Sequence, residues 1–181
     1  MYLKQTVAPT SEPITLDEAK AFLRVLDSDS DELINSLIVA VREYVENITN
    51  RQLLPATFEA YDANIIYKLP KNPIRSIEKI ELLGDDGVYS EFDSSLYYLF
   101  GELGIGYVGY KTLPELIEHP EAFKITFTSG YDIVPEAIKQ YMKVKIATLF
   151  ENREEFVVGV SISEFSNRFI DSLIAPYIVR N

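Results

Sequence analysis

Cysteine is absent from the chain, and with it go disulfides, thiolate metal sites and thiol nucleophiles. Histidine occurs once, as His119. A single imidazole cannot build a zinc site without cysteines unless carboxylates complete it, and Glu118-His-Pro-Glu121 offers no such set by its spacing. The following proline favours an extended loop, so His119 reads as a surface residue. Nowhere do eighteen apolar residues run together, so no membrane span is expected. Met1-Tyr-Leu-Lys-Gln-Thr6 lacks a basic run leading into an apolar stretch, so no signal peptide is expected. Cationic side chains are scarce: 17 Lys and Arg face 28 Asp and Glu, a net charge of −11. That balance argues against an electrostatic grip on nucleic acid phosphates. No internal repeat or low-complexity tract is present. The composition fits an acidic, soluble protein made in the cytoplasm.

What the chain does have is apolar content. At 181 residues and 47% hydrophobic, it can bury a sizeable core as one domain, with or without an insertion. Thr15-Leu-Asp-Glu18 has the form of a capping box, which predicts a short helix over Leu16–Arg24. Asp29-Ser-Asp-Glu32 repeats the signal ahead of a longer helix, Asp31–Asn50. Advancing about 100° per residue, Leu33, Ile34, Leu37, Ile38, Val41, Tyr44, Val45 and Ile48 fall on one stripe. After Pro55 the pattern changes to β-branched and aromatic residues. Strands are expected within Thr57–Leu69, Ile74–Leu83, Val88–Phe92, Leu96–Phe100, Tyr107–Tyr110 and Phe123–Thr128. Pro70-Lys-Asn-Pro73 and Gly84-Asp-Asp-Gly87 read as turns. Three or more of these strands can pair into a small antiparallel sheet. Val134-Pro135-Glu136 opens a third helix that runs to Glu151-Asn-Arg153, proline being suited to the first turn. Lys145 falls within its apolar arc, where it can snorkel or pair with a carboxylate at a subunit contact. Val157–Ser163 reads as a strand or arm, and Ser166–Ala175 as a last short helix ended by Pro176.

Several motifs imitate functional sites. Gly104-Ile-Gly-Tyr-Val-Gly109 matches the dinucleotide-binding pattern, which needs a helix directly after it to face the pyrophosphate. Pro114 makes that helix implausible, and a bulged hairpin explains the glycines better. Asp27-Ser-Asp-Ser-Asp31 resembles the start of a calcium loop. However, Glu32 stands where glycine is required and Ile38 where a bidentate glutamate belongs, so helix capping is the expected use. Carboxylate pairs such as Glu154-Glu155 read as solvated surface charge. No catalytic residue, cofactor site or metal site is assigned, and no enzymatic activity is expected.

The order of these segments carries a resemblance. Its parts are Pro13–Lys20, the Leu33–Ile48 helix ending Thr49-Asn-Arg51, Leu69–Ile77, Tyr97–Leu99, Gly130-Tyr-Asp132, Pro135–Lys139, Phe150-Glu-Asn-Arg153 and Leu173-Ile-Ala-Pro-Tyr177. Together they resemble the head–tail connector (adaptor) proteins of long-tailed bacteriophages, with Tyr97–Phe123 longer than the usual sheet insertion. The resemblance implies an α+β fold, mainly a helical bundle with a small antiparallel β-sheet inserted between the second and third long helices. Residues 1–55 would supply the N-terminal helices, 56–130 the β insertion, and 131–181 the C-terminal helix and a portal-binding arm, in one structural domain with an insertion. It further implies a virion structural protein of the neck, made in the bacterial host cytoplasm. There about twelve copies form a ring that docks on the portal protein and receives a downstream stopper or tail-completion protein. Genomic DNA would pass through during packaging without sequence-specific binding, and an acidic lumen would let it slide. By analogy Phe169, Ile170, Leu173, Ile174, Pro176, Tyr177, Ile178 and Arg180 would meet the portal, because so short an apolar segment needs a partner surface. Alternatively the segment packs back on the Leu33–Ile48 helix. The competing readings are another neck or tail-completion protein, such as a stopper or tail terminator, and a small ligand-binding module or enzyme using the Gly104–Gly109 loop. A binding module that reads a partner through a sheet edge is a further one.

Overall fold

The computed structural model describes residues 1–102, 104–151 and 170–179. Two compact units make up the chain, one of Met1–Thr10 and Leu54–Asp132, the other of Ser11–Leu53 and Ile133–Asn181. Expected features at Val157–Ser163 and Ser166–Phe169, with Glu154-Glu155, lie outside the described residues.

The first unit is all β. Strands β1 (Tyr2–Val7), β2 (Ala56–Asp62), β3 (Ile74–Leu83), β4 (Tyr89–Glu91) and β7 (Phe123–Ser129) form one sheet in the order β1-β2-β7-β3-β4. Every pairing is antiparallel. Strand β7 lies at the centre, with Phe127 opposite Phe58 on one side and Ile77 on the other. Period-two alternation puts Phe58, Ala60, Phe123, Ile125 and Phe127 on one buried face. The Phe58 and Phe127 rings stack at 5.7 Å. The Gly84–Gly87 turn forms between β3 and β4 as expected, closed by Gly87 N–H donating to Gly84 O at 2.9 Å. A second, two-stranded ribbon joins β5 (Tyr97–Glu102) to β6 (Ile105–Tyr110). Its Tyr97 and Val108 side chains enter the same core.

The second unit is helical. Helix α1 (Leu16–Leu23) starts at the expected capping box: Glu18 N–H donates to Thr15 Oγ1 at 3.1 Å, and Thr15 N–H to the Glu18 carboxylate at 2.9 Å. Helix α2 (Asp31–Thr49) ends one residue earlier than expected, at Asn50 in the left-handed region. A capping box at Asp29–Glu32 does not form. Ser30 is the N-cap without a side-chain bond, while Asp27 accepts from Asp29 N–H at 3.1 Å. Asp31 pairs instead with Lys20 at 2.6 Å. Helix α3 spans Glu136–Glu151, and residues 170–174 are helical ahead of a 3-10 turn at Ala175–Tyr177. Ile34, Ile38, Val41 and Val45 of α2 and Ile138, Tyr141, Met142 and Ile146 of α3 are buried.

The fold is α+β, but the expectation of a mainly helical bundle with a small inserted sheet is overturned. Seven strands are described, and the five-stranded sheet reaches back to the first residues of the chain. Strand β1 escaped notice because it is an edge strand with little to bury: only Leu3 is partly shielded, so no alternation shows. A core test follows. Phe127→Ala removes a fully buried ring from the central strand, and should cost about 3–5 kcal/mol, read as a lower midpoint of denaturant unfolding.

Candidate interaction surfaces

The end of helix α2 is where the helical unit is tied together. Glu46, 7% exposed, accepts from Gln52 Nε2 and Leu53 N–H, each at 2.9 Å, on one carboxylate oxygen. Its other oxygen accepts from Arg42 Nη1 at 3.1 Å, and Arg42 Nε reaches Glu12 at 2.7 Å. A buried carboxylate is tolerable when its lone pairs are filled in this way. Sequence reasoning passed over Glu46, although Arg42 and Glu46 stand four apart on one helix face.

The same helix end holds the C-terminal segment. Val179 N–H donates to Thr49 O at 2.9 Å, filling a carbonyl that the helix leaves unpaired. Asn50 Nδ2 donates to Val179 O at 2.9 Å, and Arg51 Nε to Tyr177 O at 2.6 Å. Ile174 and Val179 are buried, Ile170, Leu173 and Tyr177 are half-buried, and Pro176 and Ile178 are exposed. Phe169 and Arg180 lie outside the described residues. The segment is thus anchored on its own helical unit while two of the sequence-derived residues still face solvent.

Lys145, expected to snorkel or to meet a carboxylate at a subunit contact, has a carboxylate within its own chain. Its Nζ lies 4.0 Å from Asp171 Oδ1 and 5.2 Å from the Tyr141 ring centre. Burial pushes the Tyr141 phenol well above its ordinary pKa, and a hydrogen bond with Tyr44 adds to this. Beside them Ala40, Val41, Tyr44, Lys145, Thr148 and Leu149 line a groove of about 370 Å³. Tyr44 and Leu149 are 48% and 47% exposed, although both sit on faces whose neighbours are buried.

The glycine motif is structural. Gly104 takes a positive φ of 75° at the turn, and Ile105–Tyr110 continues as β6 without a helix. The ribbon pairs in register from Tyr97↔Tyr110 to Glu102↔Ile105, with no bulge. A side chain at Gly106 would strike Ile74, and one at Gly109 would strike the Tyr98 ring. His119 is exposed, as expected, and its Nδ1 accepts from Glu121 N–H at 3.1 Å.

The outer face of the sheet carries a compact charge network. Lys124 Nζ sits 3.0 Å from Glu81 and 3.3 Å from Glu59, between the Tyr61 and Tyr89 rings. Lys79 pairs with Glu81 at 2.9 Å, and Tyr61 OH donates to Glu59 at 2.8 Å. Burial opposes the charge on both carboxylates, but the hydrogen bonds from Tyr61 to Glu59 and from Lys79 to Glu81, with Lys124 on each, outweigh it and hold both pKa values below the usual range. Burial and the hydrogen bond to Glu59 push Tyr61 up to about 12.

Comparison with known proteins agrees with the resemblance. Residues 13–82 match the model of the phage gp6-like head–tail connector protein family. Three solved structures share the fold over 100% of this chain and 97% of their own. They are a chain from the neck of an empty gene transfer agent particle computed with C6 symmetry (TM-score 0.81, 19% identity), one from the virion of the native particle (0.79, 19%), and one from the native neck computed with C12 symmetry (0.68, 17%). No curated protein matches the sequence.

Two predictions follow from these geometries. Glu46→Ala strands Gln52 Nε2 and Leu53 N–H and leaves Arg42 to its pairing with Glu12, and should cost about 1–3 kcal/mol for each orphaned donor, seen as a lower midpoint of urea unfolding. The second concerns pH. Because Glu59 and Glu81 have folded pKa values below their unfolded ones, the stability they lend is present above the ordinary carboxylate range and is lost as pH falls through the folded values. Lys124→Met should therefore lower Tm at neutral pH, and the gap to the parent should close in acid; a gap independent of pH would contradict the assignment.

Proposed function

We propose that this protein is a structural subunit of the phage neck, assembled as an oligomeric ring that docks on the portal and joins the DNA-filled head to the tail. The match of residues 13–82 to the connector family carries the reading. That stretch holds α1, α2, the Glu46 junction, β2 and nearly all of β3. Likeness in fold to neck chains treated with sixfold and twelvefold symmetry supports a closed ring over an open filament. The role is one of assembly and not of catalysis, and its place is the neck of the virion.

The portal is the proposed partner on the head side, and a stopper or tail-completion protein the one on the tail side. Toward the portal the chain offers the segment ending at Val179. Ile174 and Val179 anchor it, and Pro176 and Ile178 remain outside that anchorage. An interface patch needs such residues: apolar, exposed, and held so that little order is lost on docking. The net charge of −11 favours a conduit wall along which a duplex slides, since like charges deny the phosphates a holding contact. A monomer in solution is compatible with this role where the portal templates the ring.

The test uses portal rings from the same genome. Parent protein should cosediment with them and add a ring of density at the portal's outer end in electron micrographs. Ile178→Asp alters an exposed side chain, so the subunit should fold with an unchanged Tm yet lose at least tenfold in portal affinity, about 1.4 kcal/mol. Full binding by that variant would remove the segment from the portal interface. Absence of any binding by the folded parent would defeat the connector reading.

A further inference from the structure

We infer that neighbouring copies in the ring contact one another head to tail, the α1–α2 loop of one copy seating Leu26 in the α2/α3 groove of the next. This rests on the ring reading above and adds to it the two faces that meet.

The donor face is a loop that presents an apolar side chain on a firm mount. Leu26 is 97% exposed, and Phe22 on the preceding helix is 40% exposed. The loop around Leu26 is well tied. Arg24 ends α1 in the left-handed region, Val25 N–H donates to Lys20 O at 3.0 Å, and Asp31 N–H donates to Ser28 O at 3.2 Å. With the Asp27 to Asp29 bond, these fix the backbone on both sides of the leucine. Val25 is half-buried, so the helix cap already has its apolar contact without Leu26. A leucine held this rigidly in water loses little entropy on docking.

The acceptor face is the groove lined by Ala40, Val41 and Tyr44 of α2 and Lys145, Thr148 and Leu149 of α3. Spacings of three and four residues place each set along one ridge of its helix. Its walls are apolar apart from Lys145 and the Tyr44 and Thr148 hydroxyls. Among the described residues the Lys145 charge is met at 4.0 Å by Asp171, itself exposed. The loop carries Asp27 and Asp29 directly after Leu26, both exposed. An apolar knob followed by two carboxylates thus matches an apolar groove bordered by an ammonium. On a chain with 28 acidic and 17 basic side chains, a groove bordered by an ammonium is a part of the surface that can accept an acidic loop from another copy. Because knob and groove occupy different places on one helical unit, the contact is heterologous, and such contacts propagate into rings when the rotation closes.

The absence of cysteine makes the test direct. A Leu26→Cys, Leu149→Cys variant is assembled on portal rings, checked by electron microscopy, and treated with a short bismaleimide. The contact predicts a ladder of covalent oligomers in denaturing gels, whereas Leu26→Cys or Leu149→Cys alone stops at monomer. Leu26→Asp, which changes a side chain buried in nothing, should keep its Tm and weaken each copy-to-copy contact by about tenfold or more. Rings that form normally in Leu26→Asp, or visible rings of the double variant without a ladder, overturn the contact and leave the ring reading intact. Two maleimide results with the Leu149→Cys variant also overturn it. A thiol that resists the reagent in the free monomer means that the chain fills its own groove. A thiol shielded by portal, with no ladder from the double variant, means that the portal fills it. Failure of parent protein to form rings on the portal defeats the ring reading first, and this contact with it.

Discussion

The helical unit depends on how the end of α2 is satisfied. A helix leaves its last carbonyls without partners, and burying them without partners costs too much to be tolerated. Here the Thr49 carbonyl is met by Val179, while Asn50 and Arg51 bind the carbonyls of residues 177 and 179. One turn earlier Glu46 fixes the outgoing chain at Gln52 and Leu53, and through Arg42 the incoming chain at Glu12. Three stretches far apart in sequence are thus held within two turns of one helix. The position of the C-terminal segment follows from that junction, so the surface this segment presents is set by hydrogen bonds and not by apolar packing alone.

Charge is handled differently in the two units. On the sheet, Lys124 sits among two carboxylates and two phenol rings, and the network closes on itself. Such a face spends its charges internally and offers few to a partner. In the helical unit the Lys145 ammonium is only loosely matched, and apolar side chains beside it stay in water. The surplus of carboxylates favours repulsion between copies, so the contact proposed between them draws on apolar surface and on a cation placed beside it.

Much of the helical architecture was legible in the sequence. The Thr15–Glu18 box, the α2 stripe and the proline-led α3 all rest on local chemistry that acts within a few residues. The Gly84–Gly87 turn and the strands from Ile74 to Phe123 were legible for the same reason. The balance between helix and sheet was not. Strand β1 has no buried period of its own, and its existence depends on pairing with Ala56–Asp62 more than fifty residues later. The repeated cap at Asp29–Glu32 did not form because the helix starts one residue later than that box requires, with Ser30 as its N-cap. Glu46 was invisible because a glutamate in a helix is ordinarily solvated, and only tertiary structure shows what surrounds it. The C-terminal apolar cluster was noticed, but periodicity cannot say which members anchor and which face outward.

Both units are interrupted in sequence, and this has a bearing on synthesis. Strand β1 is made some fifty residues before its partner, residues 57–61. Helix α2 is complete at Thr49, but α3 does not finish until Glu151. At about 5–20 residues per second, the apolar stripe of α2 waits on the order of five to twenty seconds for its partner helix. The β unit has all its strands once Ser129 is made, whereas the helical unit must wait for α3, so the nascent chain carries the uncovered stripe of α2 through more than half of its translation. That delay exposes the chain to the holding chaperones of its host before its helical unit can close.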